Sequence, residues 1–246
     1  MTAPLLYDSL AAYWPVFSPP DEYVEEVETF RRRFIRHGVA DGASVLHLGS
    51  GGGSIDFHLK RWYRVVGVDI SPGMIEQARR LNPEVEYVQG DIRDVRLDRT
   101  FDVVLVHDAI AYMTSVGELE AAYDTAARHL SPGGLLVTIP EELKERVPAL
   151  QPSVEARRVG GTELHVMTTH HDPDPDDDWF ENVYVFLIRE GDDLRVEVDR
   201  HRVGAFELHD FLGAIRKAGL APSVERWELP TWGDEPELPL ITAVKA

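Results

Sequence analysis

Five short apolar runs recur along the first part of the chain, with polar or helix-like segments between them. The runs cover Val45–Leu48, Val65–Ile70, Val85–Val88, Phe101–Val106 and Leu135–Ile139. Residues 72–81 and 115–130 instead repeat apolar positions with helical period. Strands that alternate with helices at this spacing predict a parallel sheet with helices on both faces. The predicted fold class is therefore α/β, Rossmann-like and doubly wound.

The pattern changes after Pro140. Three β-rich runs follow, and short stretches of turn residues separate them: Glu163–Thr169, Trp179–Ile188 and Leu194–Val203. Short connections favour antiparallel hairpins, so we expect an antiparallel β insertion after the fifth strand. A helical pattern at 207–219 and two further runs, Ser223–Leu229 and Leu240–Lys245, complete a mostly parallel seven-stranded sheet.

These patterns divide the chain into four parts. We expect an N-terminal helical segment at 1–38, the α/β core at 39–150, the β insertion at 151–205, and a C-terminal helix with the last strands at 206–246. Within the first part, residues 5–20 read as a short amphipathic helix that ends in Ser-Pro-Pro.

A glycine cluster follows the first apolar run. Gly49, Gly51, Gly52 and Gly53 let the backbone turn sharply and approach a ligand closely, because no Cβ stands in the way. A strand, a glycine turn and a helix together present backbone N–H groups to nucleotide-like ligands. Asp69 ends the second run, 20 residues after Gly49, where an acid binds a ribose diol.

Composition and charge restrict the class of protein. The 246 residues are 43% hydrophobic and 28% charged, which is typical of a soluble globular protein. The net charge of -18 argues against nucleic acid as a partner and favours a small-molecule substrate. We expect the chain to be a monomer or homodimer. The sequence has no cysteine, no signal-peptide pattern and no apolar stretch long enough to span a membrane, so we expect a cytoplasmic protein.

Together these segments resemble the class I S-adenosylmethionine-dependent methyltransferases. The matching pieces are Val45–Gly53, Gly67–Ala78, Gln89-Gly-Asp91, Phe101–Val104 and Leu130-Ser-Pro-Gly-Gly134, and they cover roughly residues 40 to 140. With the β insertion, the chain is similar to small-molecule N- and O-methyltransferases of the glycine/sarcosine and amino-sugar type. The resemblance implies S-adenosylmethionine as cofactor and methyl transfer to a nitrogen or oxygen of a small molecule.

The resemblance also implies which residues bind the cofactor. Asp69 would bind the ribose diol and Asp91 the adenine amino group, while the glycine turn contacts the methionine and ribose portion. The expected cofactor-binding residues are His47, Gly49, Ser50, Gly51, Gly53, Asp69, Ile70, Met74, Asp91, Ile92, His107 and Asp108.

Three residues are candidates for catalysis. Methyl transfer from a sulfonium needs the nucleophile placed close to the methyl group, with water excluded, and an amine nucleophile must be neutral. His107, at the tip of the fourth strand, is a candidate base or substrate orienter; it can equally be a hydrogen-bonded wall residue. Tyr112 would bind the substrate or line the pocket. In the family, the N-terminal segment is a lid, which would place Tyr7 at the sulfur and Tyr13 nearby.

Two departures from the family pattern leave alternatives open. His47 stands where the glycine motif usually carries an acid, which keeps a non-catalytic cofactor-binding module possible. The fourth strand is not followed by Asn/Asp-Pro-Pro-aromatic, which argues against methylation of nucleic-acid bases. A nicotinamide dehydrogenase is disfavoured because the glycine fingerprint lacks its final small residue.

We predict no metal. Asp108 with Glu141 or Glu142 would imitate a site for metal-assisted O-methylation, and His165, His170 and His171 are a weaker set.

Overall fold

A seven-stranded sheet forms the centre of the molecule in a computed structural model that describes residues 4–227 and 238–246. Its order is β10-β11-β5-β4-β1-β2-β3. The strands are β1 (Ser44–Leu48), β2 (Arg64–Asp69), β3 (Glu86–Gln89), β4 (Phe101–Val106), β5 (Leu130–Thr138), β10 (Ala221–Trp227) and β11 (Leu238–Val244). β1 to β5 pair in parallel, and β11 runs antiparallel to both β5 and β10. This confirms the predicted Rossmann-like α/β class.

Helices cover both faces of this sheet. They are α1 (Trp14–Phe17), α2 (Val24–Arg36), α3 (Ser54–Leu59), α4 (Pro72–Leu81), α5 (Val116–His129) and α6 (Leu208–Lys217). Successive strand residues point to opposite faces, so Leu46 and Val104 pack towards α5 and α6, while Val45 and Val103 pack towards α2 and α3. Within the described residues, no helix is both long and apolar enough to cross a membrane.

The β insertion contains four strands rather than three. β6 (Ser153–Val159), β7 (Thr162–His171), β8 (Trp179–Glu190) and β9 (Asp193–Gly204) pair antiparallel in chain order. The sequence analysis missed β6, because this edge strand carries Glu155, Arg157 and Arg158 and is almost wholly exposed. An edge strand with charged side chains lacks the apolar signal of a core strand.

The N-terminal segment is not the regular helix that we expected. Residues 4–23, called the lid segment below, form short 3₁₀ turns and the four-residue helix α1. Pro15, Pro19 and Pro20 supply no backbone N–H, which prevents a continuous helix. Leu6 and Leu10 of the lid segment pack against the insertion, whereas α2 packs in the main core.

Several element boundaries differ from those predicted. β5 begins at Leu130 and contains the Ser-Pro-Gly-Gly turn, because the N–H of Gly133 donates to the carbonyl of Lys245 (2.8 Å). The run expected at Ser223–Leu229 is β10 up to Trp227, and residues 228–229 lie outside the described residues. At the C-terminal end of α2, Arg33 and Arg36 pair with Glu225 of β10.

Candidate active site

A cavity of about 230 Å³ opens at the carboxyl ends of β1, β2 and β4, where parallel sheets place their ligands. The predicted residues that line it are Tyr7, His47, Gly49, Ser50, Gly51, Asp69, Ile70, Met74, Asp91, Ile92, His107, Asp108 and Tyr112. Gly53 does not line it, because its carbonyl turns to the amide of Asn82 (2.9 Å) at the start of α3. Gly52 of the predicted glycine turn lines the cavity as well. The wall also contains residues that were not predicted from the sequence: Pro4, Trp14, Tyr23, Ser54, Ile55, Ser71, Arg93, Ala109 and Met113.

The glycine turn is as tight as the sequence predicts. Gly49 has a φ of 80°, and a Cβ at this position would overlap the Cβ of Ala109 in the loop after β4. A Cβ at Gly52 would overlap the indole of Trp14, which rests directly on the turn. Any other residue at Gly49 would therefore be strained and would displace the loop that carries Asp108.

Asp69 at the tip of β2 holds the neighbouring backbone in place. Its Oδ2 accepts from the N–H of Gly51 (2.8 Å) and its Oδ1 from the N–H of Ser71 (2.8 Å). Burial raises the pKa of this carboxyl, and these two hydrogen bonds oppose the rise. Each carboxylate oxygen has a second lone pair, so Asp69 can order the glycine turn and still accept from a ribose hydroxyl.

Asp91 at the tip of β3 is engaged by a basic residue. Both of its carboxylate oxygens accept from Nε of Arg93 (3.0 Å each), and Arg93 also pairs with Glu118 of α5. Burial alone would raise the pKa of Asp91, but the hydrogen bonds from Arg93 lower it overall. Sequence reasoning found Asp91 but not Arg93, which fixes the orientation of the carboxylate at the cavity wall.

His47 pairs with a carboxylate that belongs to a different element of the fold. Its Nδ1 lies 2.7 Å from Oδ1 of Asp56, the third residue of α3, and both side chains are buried. The acid that the family carries on β1 is thus replaced by a histidine on β1 and an acid on the following helix. The sequence analysis did not single out Asp56, because one acid in the first turn of a helix is common.

His107 lies among carboxyl groups from three separate elements. It is 3% exposed; its Nδ1 is 2.7 Å from Oδ1 of Asp108, and its Nε2 is 3.3 Å from Oε1 of Glu141 and 3.8 Å from Oε2 of Glu26. Asp108 is 56% exposed and lines the cavity wall. Successive side chains of a strand point to opposite faces, but the backbone leaves the extended conformation at His107 (φ −104°, ψ −132°), so the side chains of His107 and Asp108 meet.

The charges in this group alter several pKa values. Burial alone would lower the pKa of His107, but Asp108, Glu141 and Glu26 together raise it well above its usual value. Burial raises the pKa of Glu26 to about 8 and that of Glu142 to about 7, and burial with the charge of Asp108 raises that of Glu141. Burial opposes ionisation of Asp108, but His107 lowers its pKa. In this geometry His107 is a cation that holds Asp108 ionised.

Glu26 makes stability depend on pH. Its pKa is about 8 in the folded protein against an ordinary 4.5, so between these values the folded state binds more protons than the unfolded state. The free energy of unfolding should therefore fall as pH rises through this window, by at most about 1.4 kcal/mol per pH unit. We expect Glu26→Gln to flatten this fall, measured by urea unfolding at pH 5, 6.5 and 8.

The control for this prediction is Glu28→Gln, an exposed residue of the same helix, which should keep the wild-type pH profile. An unfolding free energy of Glu26→Gln that falls as steeply as that of the wild type would contradict the assignment.

Two tyrosines close the cavity from the other side. The hydroxyls of Tyr7 and Tyr112 lie 2.7 Å apart, and the carbonyl of Tyr7 accepts a hydrogen bond from Oγ of Ser71. Burial is the main cause that raises the pKa of both phenols well above 10. Tyr13 lies elsewhere, because its hydroxyl donates to Glu190 of β8 (2.7 Å). Tyr13 is not among the residues that line the cavity, and its expected place near the sulfur stays a prediction.

The wall of the cavity fits S-adenosylmethionine. Gly49 and Gly51 leave space for close backbone approach, and the buried hydroxyl of Ser50 has no hydrogen-bond partner among the described residues. Ile70 is 60% exposed at the tip of β2, which is unusual for a large apolar side chain and suits an adenine ring. Asp69 is placed for the ribose.

Residues 45–134 match the methyltransferase domain family. The chain is 33% identical over 108 residues to a dTDP-3-amino-3,4,6-trideoxy-α-D-glucopyranose N,N-dimethyltransferase of Streptomyces venezuelae, across 43% of this chain and 46% of that protein. The family match identifies residues 45–134 as a methyltransferase domain. S-adenosylmethionine is therefore its cofactor.

Other relatives support the same domain. A trans-aconitate 2-methyltransferase of an Azoarcus species is 31% identical over 144 residues, across 56% of each protein. The chain thus spans about half the length of these curated relatives. The crystal structure of Streptomyces venezuelae DesVI matches with a TM-score of 0.78 and 25% identity, across 92% of both chains. The methyltransferase domain and the insertion therefore share one known architecture.

Proposed function

We propose that this chain transfers a methyl group from S-adenosylmethionine to the nitrogen of a small-molecule amine. The observation that carries this is the ionised carboxyl group of Asp108, which lines the cavity and lies 2.7 Å from the cationic ring of His107. The carboxyl groups of Glu26 and Glu141 lie on the other side of that ring, outside the cavity wall. A carboxylate at the wall attracts a cationic amine and disfavours an acceptor that carries carboxylates.

Asp108 is the residue that we assign to amine binding. It is ionised, it lines the cavity, and His107 fixes one of its oxygens at 2.7 Å. A hydrogen bond between charged groups contributes about 1.5–3 kcal/mol, which is enough to orient an ammonium or amine. His107 acts by holding Asp108, and in its charged form it offers no free lone pair to a proton.

The remaining chemistry requires placement more than proton transfer. The bound cofactor supplies the sulfonium methyl group. The residues of this chain hold the amine nitrogen in line with that group, while Tyr7, Trp14 and Tyr112 exclude water from the cavity. The methylated nitrogen then releases one proton per methyl group to solvent.

The relatives support nitrogen over oxygen. Names of N,N-dimethyltransferases acting on dTDP-amino sugars recur among them, and the structural matches include the sugar N-methyltransferase KedS8 at 25% identity and a TM-score of 0.78. Trans-aconitate, by contrast, carries several carboxylates. We propose the amino-sugar type as the acceptor class and the cytoplasm as the location.

The test compares acceptors of matched size that carry different functional groups. Purified chain and S-adenosylmethionine are incubated with matched amines, alcohols and carboxylic acids of sugar size, and methylated product is measured by mass spectrometry. We expect turnover of the amines, and Asp108→Asn should lower kcat/KM for them by about 10-fold or more. Asp98→Asn, the same change at an exposed site, should have no effect.

Other outcomes would contradict the proposal. Turnover of alcohols alone, lost with EDTA and restored by Mg²⁺, would indicate metal-assisted O-methylation through His107, Asp108 and Glu141, whose ligand atoms lie within 4.8 Å of one another. Turnover of carboxylic acids in preference to amines would show that the negative charge does not select the acceptor.

A further inference from the structure

A chain of hydrogen bonds connects the β insertion to the cavity. Oδ2 of Asp199 lies 2.8 Å from Nε2 of His201, and Nδ1 of His201 lies 2.7 Å from the hydroxyl of Tyr112. The hydroxyl of Tyr112 then lies 2.7 Å from that of Tyr7. The four residues come from β9, the loop after β4 and the lid segment, and both tyrosines line the cavity.

The carboxylate at one end sets the direction of every proton. An ionised Asp199 can only accept, so in the neutral imidazole of His201 Nε2 donates and Nδ1 accepts. The hydroxyl of Tyr112 therefore donates to His201, and its oxygen accepts from the hydroxyl of Tyr7. The oxygen of Tyr7 then has a lone pair available in the cavity and no proton to offer there.

The buried end of this chain is rigid. Asp199 and His201 are 4% and 1% exposed, and Oδ2 of Asp199 also accepts from the N–H of Leu6 (2.8 Å). The ring of His201 packs against Tyr184 at 4.7 Å and against Tyr7 at 5.3 Å. A buried and fully bonded histidine cannot rotate freely. The bond to Asp199 therefore fixes the ring of His201, and the ring in turn fixes the direction in which the hydroxyl groups of Tyr112 and Tyr7 donate.

We propose that Asp199 and His201 are positioning residues that orient Tyr112 and Tyr7, so that the oxygen of Tyr7 accepts an N–H of the acceptor amine. This inference rests on the proposed function. An amine held through its N–H directs its lone pair elsewhere, towards the methyl group, so orientation at Tyr7 sets the angle of attack.

The tyrosines do not act as bases in this arrangement. Burial, together with neighbouring phenols and carboxylates, keeps the pKa of both hydroxyls well above 10, so each retains its proton at neutral pH. The insertion would therefore contribute orientation to the reaction centre, in addition to covering it.

The first test reads the proton positions directly and needs no substrate. Nitrogen-15 NMR of the histidine-labelled full chain, with His201 assigned through His201→Gln, should show the proton on Nε2 and an accepting Nδ1. Asp199→Asn should disturb this signature. A proton on Nδ1 of wild-type His201 would reverse the direction of the chain and overturn the inference.

The second test measures turnover of the amine that the wild type accepts. His201→Phe keeps a ring beside Tyr184 but removes the acceptor, and should lower kcat about 10-fold or more with little change in KM. His201→Gln, whose amide oxygen can accept from Tyr112, should restore part of the loss. His165→Phe, on the same insertion and half-exposed, is the matched control and should behave as wild type.

The outcomes separate the two proposals. Equal kcat values for His201→Phe, His201→Gln and wild type would overturn the positioning role even if amines are methylated. A higher KM at unchanged kcat would show that His201 only shapes the pocket, which also overturns it. If the wild type methylates no amine, the proposed function fails, and the NMR signature still decides whether Asp199 and His201 orient the tyrosines.

Discussion

Removal of residues 1–20 should abolish turnover while the α/β core stays folded. The two main core clusters contain no residue before Tyr23, so their packing does not depend on the lid segment. Tyr7 and Trp14 line the cavity, and without them water enters beside the sulfonium and the acceptor loses its wall. Circular dichroism and methyl-transfer rates of the truncated chain, measured together, check this expectation.

Truncation also exposes the surface beneath the lid segment, so point variants are needed to show which of the two changes lowers turnover. Leu6 and Leu10 cover an apolar patch of the insertion, which truncation would leave in water. Tyr7→Phe should lower turnover in the full chain. Tyr13→Phe removes the same hydroxyl from a tyrosine outside the cavity wall and should not. Normal activity of the truncated chain would show that the segment is not a lid.

Replacement of His107 by alanine should lower kcat/KM by about 10-fold or more. The change removes the cation that lies 2.7 Å from Asp108 and 3.3 Å from Glu141, so both carboxyl groups should become harder to ionise. Asp108 would then bind the amine weakly and in several orientations. Steady-state kinetics across pH 6 to 9 measures the loss.

Two further variants define how His107 acts. His107→Gln can still donate to Asp108 without a charge, so its activity should lie between those of wild type and alanine. His129→Gln changes a buried histidine of α5 that bonds to backbone groups of Thr125 and Leu97, and should cost stability but not turnover. A kcat/KM of His107→Ala equal to that of the wild type would show that His107 does not act through Asp108.

The sequence by itself determined the central sheet and the cofactor face. Five apolar runs that alternate with helical segments predict a parallel sheet with helices on both faces. The carboxyl ends of these strands bring Gly49, Asp69 and Asp91 to one edge of the sheet. These features are local, because a buried strand, a glycine turn and an acid at a strand tip each show in a few consecutive residues. Gly53 belongs to the same glycine cluster but does not line the cavity, because its carbonyl accepts from the amide of Asn82.

Only the tertiary structure decided the polar groups around the reaction centre. Glu26 on α2 reaches His107, Asp56 on α3 reaches His47, and Asp199 and His201 on β9 reach Tyr112. Each of these residues is an ordinary polar position in its own segment, with no periodicity or spacing to mark it. Their importance comes from burial beside a charged or hydrogen-bonding partner that is distant in sequence. Such pairing depends on how the helices and the insertion pack over the strand tips, which the hydrophobic pattern leaves undetermined.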